Sequence, residues 1–230
     1  MTPILIPQGL VYDMHSMKGI VDFKKFYALS QLMDSPHDYF IVCDSETLVI
    51  AKNFTAENVI PKIEAIFRNK KVYAGCLSTG DGGITTAGCR VFPEEQKEKL
   101  RQLTDDYKYQ FWWSDLPVYK RDTLKHFFEV LPIPKEITSR PDNTIYMCYL
   151  VIYHGFEFVN VTPHIGVQSS LEGFVTRNPE YIHKMTQLGY GHSWVTNTQY
   201  AVNRELLEDM GTFLAYHLDR WTTPDFWGPP

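Results

Sequence analysis

The stretch DYFIVCDSETLVI, residues 38–50, decides the fold. Its apolar residues 39–43 lead directly into Asp44-Ser45-Glu46, and the chain becomes apolar again at residue 48. A continuous apolar run of strand length is typical of a strand that is buried on both faces of a parallel sheet. Residues 39–43 are therefore predicted to form a central parallel strand that ends at two carboxylates.

Helices and strands are predicted to alternate along the rest of the chain. Apolar residues recur at helical spacing in segments 22–35, 56–70, 93–107, 122–131, 143–155 and 203–221. Strand patterns occupy segments 71–78 and 156–163, and a Gly-rich loop or hairpin is predicted at 78–89. Because no repeat or low-complexity linker separates these segments, we predict a single α/β domain over residues 1–230, with a mostly parallel central sheet flanked by helices.

The composition argues against several classes of protein. The chain carries 22 Lys and Arg residues against 27 Asp and Glu residues, a formal net charge of -5, which disfavours binding to nucleic acid phosphates. Its four cysteines, Cys43, Cys76, Cys89 and Cys148, form no C-x-x-C pair, so reduced thiols in a cytoplasmic protein are predicted rather than a structural zinc site. No signal-peptide pattern and no apolar stretch of about 18 residues is found, so no membrane span is expected.

Asp44 and Glu46 are the first candidates for a functional site. In an extended chain, residues i and i+2 point the same way, so both carboxylates can face one ion. The carboxyl ends of strands are also where open α/β sheets bind ligands. Because hard cations such as Mn²⁺ and Mg²⁺ prefer carboxylate and phosphate oxygens, the pattern predicts a divalent metal site. A polar turn without any ligand is the alternative interpretation of the same residues.

Two segments carry a resemblance to a known family. FKKFYALSQLMDSPHDYFIVCDSETLVI, residues 23–50, resembles the part of GT-A-fold glycosyltransferases in which a helix leads into a central strand that ends in an Asp-x-Asp motif. FWWSDLPVYKRDTLKHFFE, residues 111–129, resembles the acceptor-side segment of these enzymes. The similarity extends over residues 23–159. Glu46 stands where the family usually has a second Asp, and only 43 residues precede Asp44, fewer than the family usually devotes to its nucleotide pocket.

The resemblance implies a metal-dependent glycosyltransferase of glycan biosynthesis. Such an enzyme moves a hexosyl or pentosyl group from a UDP- or GDP-linked sugar to a hydroxyl of a glycan or glycoconjugate. Residues 1–46 would form a short nucleotide-binding part, and residues 100–230 the acceptor-side part. Mn²⁺ or Mg²⁺ held by Asp44 and Glu46 would neutralise the departing diphosphate. A histidine is a further candidate metal ligand, because many retaining members of the family have a late histidine in this role. His192 is preferred over His164, because Gly189 and Gly191 would let the backbone approach a ligand closely.

Asp115 and Asp142 are the candidates for the carboxylate that takes the proton of the acceptor hydroxyl. Trp112 and Trp113 directly precede the first of these acids, and they are expected to stack on sugar rings beside it in an acceptor-binding cluster. Each acid also has a structural interpretation. Asp115 would be a turn residue before Pro117, and Asp142 would be the cap of the helix that follows it.

Lys24 and Lys25 lie in the predicted helix that precedes the acidic strand. They are candidate donor-binding residues together with Asp44, because an ammonium group can approach a diphosphate as a point charge. A solvated helix face is the alternative for both lysines. Other functions stay open. One is a non-catalytic GT-A-like binding domain or a fragment of a larger glycosyltransferase. Another is a metal-dependent phosphohydrolase, for which the tight local motifs of acids and histidines are missing.

Overall fold

The structure is a computed structural model that describes residues 20–42, 47–49, 55–76, 88–111, 117–131, 142–167, 184–185, 187–188, 193–197 and 213–217, and all structural statements below concern these residues. Its helices are α1 Ile20–Gln31, α2 Ala56–Asn69, α3 Glu94–Leu103, α4 Arg121–Val130, α5 Asp142–His154 and α6 Thr162–Ile165. Its strands are β1 Tyr39–Ile41, β2 Thr47–Val49, β3 Lys71–Cys76, β4 Tyr109–Phe111, β5 Val118–Lys120, β6 Glu157–Asn160, β7 Ser193–Asn197 and β8 Phe213–His217. The predicted mixture of helices and strands is therefore confirmed.

The chain divides into two compact units. Unit 1 comprises Met1–Val42, Gly80–Phe111 and Val118–Phe158, and unit 2 comprises Cys43–Thr79, Trp112–Pro117 and Val159–Pro230. The single domain over residues 1–230 stays a prediction.

Unit 1 has an aromatic core packed on α5. Phe26 of α1 and Phe127 of α4 are buried, with ring centroids 5.4 Å apart. Phe127 also lies 5.1 Å from the ring of Tyr149 in α5. Tyr119 of β5 is fully buried, and its ring lies 4.7 Å from that of Tyr146 in α5. Because burial of each such side chain contributes about 1.5–3 kcal/mol, this aromatic layer is a main source of stability for the unit.

The predicted helix 93–107 is confirmed as α3, and its end shows an unusual backbone. Asp105, Asp106 and Tyr107 all have left-handed φ values, of 49°, 56° and 63°. Hydrogen bonds hold this turn in place: the amide of Asp106 donates to the carbonyl of Arg101 at 2.8 Å, and the amide of Tyr107 donates to Oγ1 of buried Thr104 at 3.1 Å. Each non-glycine residue in this conformation carries strain, so the turn is sustained by its contacts.

Unit 2 contains α2 and β3, which follow each other directly along the chain. Val59, Ile63 and Phe67 are buried at a spacing of four residues, which places them on one face of α2. Lys70 ends the helix with φ 49°, and its amide donates to the carbonyl of Ile66 at 3.0 Å. The chain then enters β3 at once, as the sequence predicted for 56–70 and 71–78.

The sheets are small. In unit 1, β1 pairs antiparallel with β5, with Tyr39 opposite Lys120 and Ile41 opposite Val118. In unit 2, β8 pairs antiparallel with β2 and parallel with β7. Of these three pairings in the described structure, that of β7 with β8 is parallel and the other two are antiparallel. A mostly parallel central sheet therefore stays a prediction.

Two predictions from local pattern are wrong. Residues 39–41 were expected in a central parallel strand, but they form the antiparallel partner of β5, and their side chains are only half-buried. An apolar run signals burial without specifying the direction of its partner. Segment 203–221 was expected to be helical, but Phe213–His217 is a strand between β2 and β7. There, backbone pairing on both sides outweighs the weak local preference for helix.

Candidate functional site

The antiparallel ladder of β1 and β5 directly adjoins, along the chain, both segments that were predicted to carry the site. Its last pair joins Ile41 to Val118. Asp44 follows Ile41 by three residues, and Asp115 precedes Val118 by three residues. The two acids are thus attached at the same end of one antiparallel ladder.

Arg121 fixes the other end of this ladder. Its amide donates to the carbonyl of Asp38 at 2.8 Å, and its Nη2 donates to the Asp38 carboxylate at 2.8 Å. Its Nη1 donates to the carbonyl of Ser35 at 2.7 Å. Because one guanidinium binds both residues, it joins the turn before β1 to the first residue of α4.

Tyr146 anchors the same ladder to α5. Its Oη accepts a hydrogen bond from the amide of Lys120 at 3.1 Å and also bonds to Oγ1 of Thr123. The ring is 1% exposed. Burial raises the pKa of Tyr146 to about 12, since the phenolate would lose its hydration, while the two hydrogen bonds act in the opposite direction. The hydroxyl therefore stays protonated and rigidly placed at neutral pH.

The structure describes only a part of the predicted site. Lys24 is exposed and Lys25 is half-buried on α1, and Asp142 is the first residue of α5. These three residues belong to unit 1. The remaining predicted site residues lie outside the described residues, and their positions in the sequence fall within the ranges of unit 2: Asp44, Glu46, Trp112, Trp113, Asp115 and His192. The alternative metal ligand His164 is exposed in the short helix α6.

A cluster of polar groups that the sequence did not indicate joins α4 to α5. The hydroxyl of Tyr149 lies 2.7 Å from Nδ1 of His126 and 2.6 Å from Nε2 of His154, and it donates to the carbonyl of Thr123 at 2.8 Å. We call these four residues the Tyr149 cluster. A carbonyl only accepts, so this bond uses the single proton of the hydroxyl. Both imidazoles must then donate, with the proton on Nδ1 of His126 and on Nε2 of His154.

The Tyr149 cluster holds its hydroxyl in the neutral form. Burial, with smaller contributions from the neighbouring Tyr146 and Glu129, raises the pKa of Tyr149 well above its ordinary value. The arrangement therefore acts as a structural connection between two helices and not as a source of phenolate. The sequence carried no signal for it, because residue 149 lies 23 residues after residue 126, and Tyr146 and Tyr153 place further tyrosine hydroxyls in the same helix.

Among the described residues, no group of three or more His, Cys, Asp or Glu side chains lies together in a way that could hold a metal ion. In the same part of the chain, the helices are all too short or too polar to cross a membrane.

Comparison with known proteins gives no family assignment. The chain matches no protein-family model, no curated protein and no solved structure.

Proposed function

We propose that the chain is a metal-dependent glycosyltransferase that moves a sugar from a UDP- or GDP-linked donor to a hydroxyl of a glycan or glycoconjugate. The proposal rests on the resemblance of residues 23–50 and 111–129 to GT-A-fold enzymes. It places metal and donor diphosphate at Asp44 and Glu46, with His192 as a further metal ligand. It places the acceptor at Trp112, Trp113 and Asp115.

The β1–β5 register is the observation that supports bringing these segments together. Ile41 and Val118 are Cα partners, and such partners lie about 5 Å apart in an antiparallel pair. Three residues of fully extended chain span at most about 11 Å. Residues 44 and 115 are each only three residues along the chain from this pair, and this connection is compatible with one site that contains both acids.

The donor set suits the proposed cation. Carboxylates are hard oxygen ligands, and Mn²⁺ or Mg²⁺ binds one or two of them together with substrate phosphates. When bound, the ion would supply positive charge to the departing diphosphate. Asp115 would accept the proton of the acceptor hydroxyl, a role that accounts for about 10²–10⁴-fold in rate. Lys24, Lys25 and Asp142 are not needed for this scheme, and their roles stay predictions.

A nucleotide-release assay tests the proposal. The purified chain is incubated with UDP- and GDP-linked sugars and a panel of sugar acceptors, first with Mn²⁺ and then with a chelator. We expect release of one nucleoside diphosphate that depends on both metal and acceptor. Asp44→Asn and Glu46→Gln should abolish this release, because each removes a charged metal ligand.

Matched controls separate a lost site from a lost fold. Asp34→Asn and Glu64→Gln make the same chemical changes at exposed positions, the first in the turn after α1 and the second in α2. Both should leave nucleotide release unchanged. Asp115→Asn should keep donor binding while it lowers transfer by at least about 10²-fold. Full metal-dependent turnover by Asp44→Asn would contradict the proposed metal site. Donor binding without any transfer would favour the non-catalytic binding domain instead.

A further inference from the structure

Two thiols of unit 1 lie against each other. The Sγ atoms of Cys89 and Cys148 are 3.8 Å apart, and both residues are free cysteines that are 1% or less exposed. They are 59 residues apart in sequence, so the fold and not local geometry brings them together. We propose that Cys89 and Cys148 form an oxidation site at which peroxide converts the dithiol into a disulfide. The proposal is independent of the glycosyltransferase assignment.

Close packing of the backbone around Gly88 places the first thiol. A Cβ atom at Gly88 would meet Cγ2 of Thr144 at 3.0 Å, so a glycine allows this segment to approach the first turn of α5. Cys148 follows Thr144 by four residues and therefore lies one turn further along the same face of that helix. The amide of Phe92 donates to the carbonyl of Cys89 at 3.1 Å, which closes the turn after it.

The two sulfur atoms need only a small displacement to bond. A disulfide has an S–S length of about 2.05 Å, so the sulfurs must approach by about 1.8 Å from their present separation. Hydrogen peroxide first oxidises one thiol to a sulfenic acid and is reduced to water. The second thiol then attacks that sulfur, the S–S bond forms, and the hydroxyl leaves with the thiol proton as a second water molecule. Two thiols and one peroxide thus give one disulfide and two waters.

Burial makes the reduced pair slow to react with external reagents. The proximity of the two thiols favours a disulfide once one of them is oxidised. Burial, followed by the hydrogen bond and charge of Cys89, raises the pKa of Cys148 and so disfavours its thiolate. External thiol reagents should therefore modify the folded pair slowly. A sulfenic acid at either position has the other thiol beside it, so linkage should precede further oxidation to sulfinic acid.

The bridge should stabilise the folded chain. In the chain-entropy description, a bridge that closes a loop of about 60 residues shifts the unfolding equilibrium toward the folded state by about a thousandfold. This value assumes that the native geometry accommodates the bond without strain. A smaller shift of the unfolding equilibrium in the same direction would indicate that strain in the bridge offsets part of this stabilisation.

Peptide mapping of an otherwise cysteine-free chain tests the proposal. In a Cys43→Ala/Cys76→Ala variant, only the two proposed partners remain, and neither is altered. The full-length variant is treated with hydrogen peroxide, unfolded, alkylated and digested without reduction. We expect the peptides that contain residues 89 and 148 to be linked, with a raised denaturation midpoint that returns to its initial value on reduction. The same variant oxidised in denaturant, and a further Cys148→Ala variant oxidised in the folded state, serve as controls without the native proximity.

Three results would overturn the proposal. The first is that both thiols stay reduced at peroxide concentrations that fully oxidise the denatured control. The second is that they reach sulfinic acid without linkage. The third is that the linked peptide forms equally well from folded and denatured chains, since the native contact would then contribute nothing.

Discussion

Removal of one oxygen atom by Tyr149→Phe should destabilise unit 1 measurably. The hydroxyl accepts from His126 and His154 and donates to the carbonyl of Thr123, all at 2.6–2.8 Å. The Tyr149 side chain is fully buried, whereas both imidazoles are only half-buried and can turn toward water. Loss of a partner that leaves a buried group unsatisfied costs about 1–3 kcal/mol. The carbonyl of Thr123 is the one group that loses its partner in this way, so we expect a cost of about 2 kcal/mol.

Thermal and denaturant unfolding measure this change. For a chain of this length, a loss of about 2 kcal/mol corresponds to a fall in Tm of about 4–8 °C. Tyr153→Phe is the matched control, because Tyr153 is a half-buried tyrosine on the same helix whose ring contacts Tyr149 at 5.4 Å. Since phenylalanine preserves that ring contact, the control should change stability by less than about 0.5 kcal/mol.

A double-mutant cycle decides whether the effect comes from the hydrogen bonds of the cluster. In a His154→Ala background, Tyr149→Phe should cost less than it does alone, with a coupling free energy of about 0.5–3 kcal/mol. Equal stability of Tyr149→Phe and Tyr153→Phe, or strict additivity in the cycle, would refute the reasoning.

Three further predictions follow from unit 1. Because burial raises the pKa of Tyr146 to about 12 from an unfolded value of about 10, its contribution is fully present below pH 10 and is lost as the pH rises from about 10 to 12. Tyr146 should lower the free energy of unfolding by up to about 3 kcal/mol over that window, and Tyr146→Phe should remove this share of the slope while the share from Tyr149, whose pKa is also raised, remains. Arg121→Lys should cost about 1 kcal/mol in denaturant unfolding, since an ammonium cannot bind Ser35 and Asp38 as a guanidinium does. Unchanged stability would contradict the role of Arg121 in joining the turn before β1 to α4. Asp105→Gly should raise stability by less than about 1 kcal/mol, because glycine adopts the left-handed φ of 49° without strain but loses the exposed ion pair with Lys108 at 3.0 Å, and a lower Tm would contradict this account.

The helices and β3 were predictable because their signals are local. Val59, Ile63 and Phe67 repeat every four residues, and this spacing alone indicates a helix with one buried face. The end of α5 was equally readable, because Gly155 has φ 65° and follows the last helical residue directly. Segments of this kind contain both the periodicity and the end signals of a helix within their own residues.

The pairing of strands and the polar clusters were not predictable in this way. The apolar run at 39–43 indicated a strand, but its antiparallel partner β5 lies far away in the sequence. The same is true of Phe213–His217, whose strand state depends on β2 and β7. The Tyr149 cluster and the pair Cys89–Cys148 combine residues from separate segments, and no spacing rule within a single sequence marks such combinations.

The central claim is that the acids at 44 and 46 hold a donor through a divalent cation, and calorimetric titration tests it most directly. The chain is titrated with UDP, GDP and their sugar conjugates in the presence of Mn²⁺, and again after addition of a chelator. We expect saturable binding of one base type that disappears with chelator and with Asp44→Asn, but persists with Asp34→Asn. Heats that are absent for every ligand, or binding that Asp44→Asn and the chelator leave unchanged, would contradict the account.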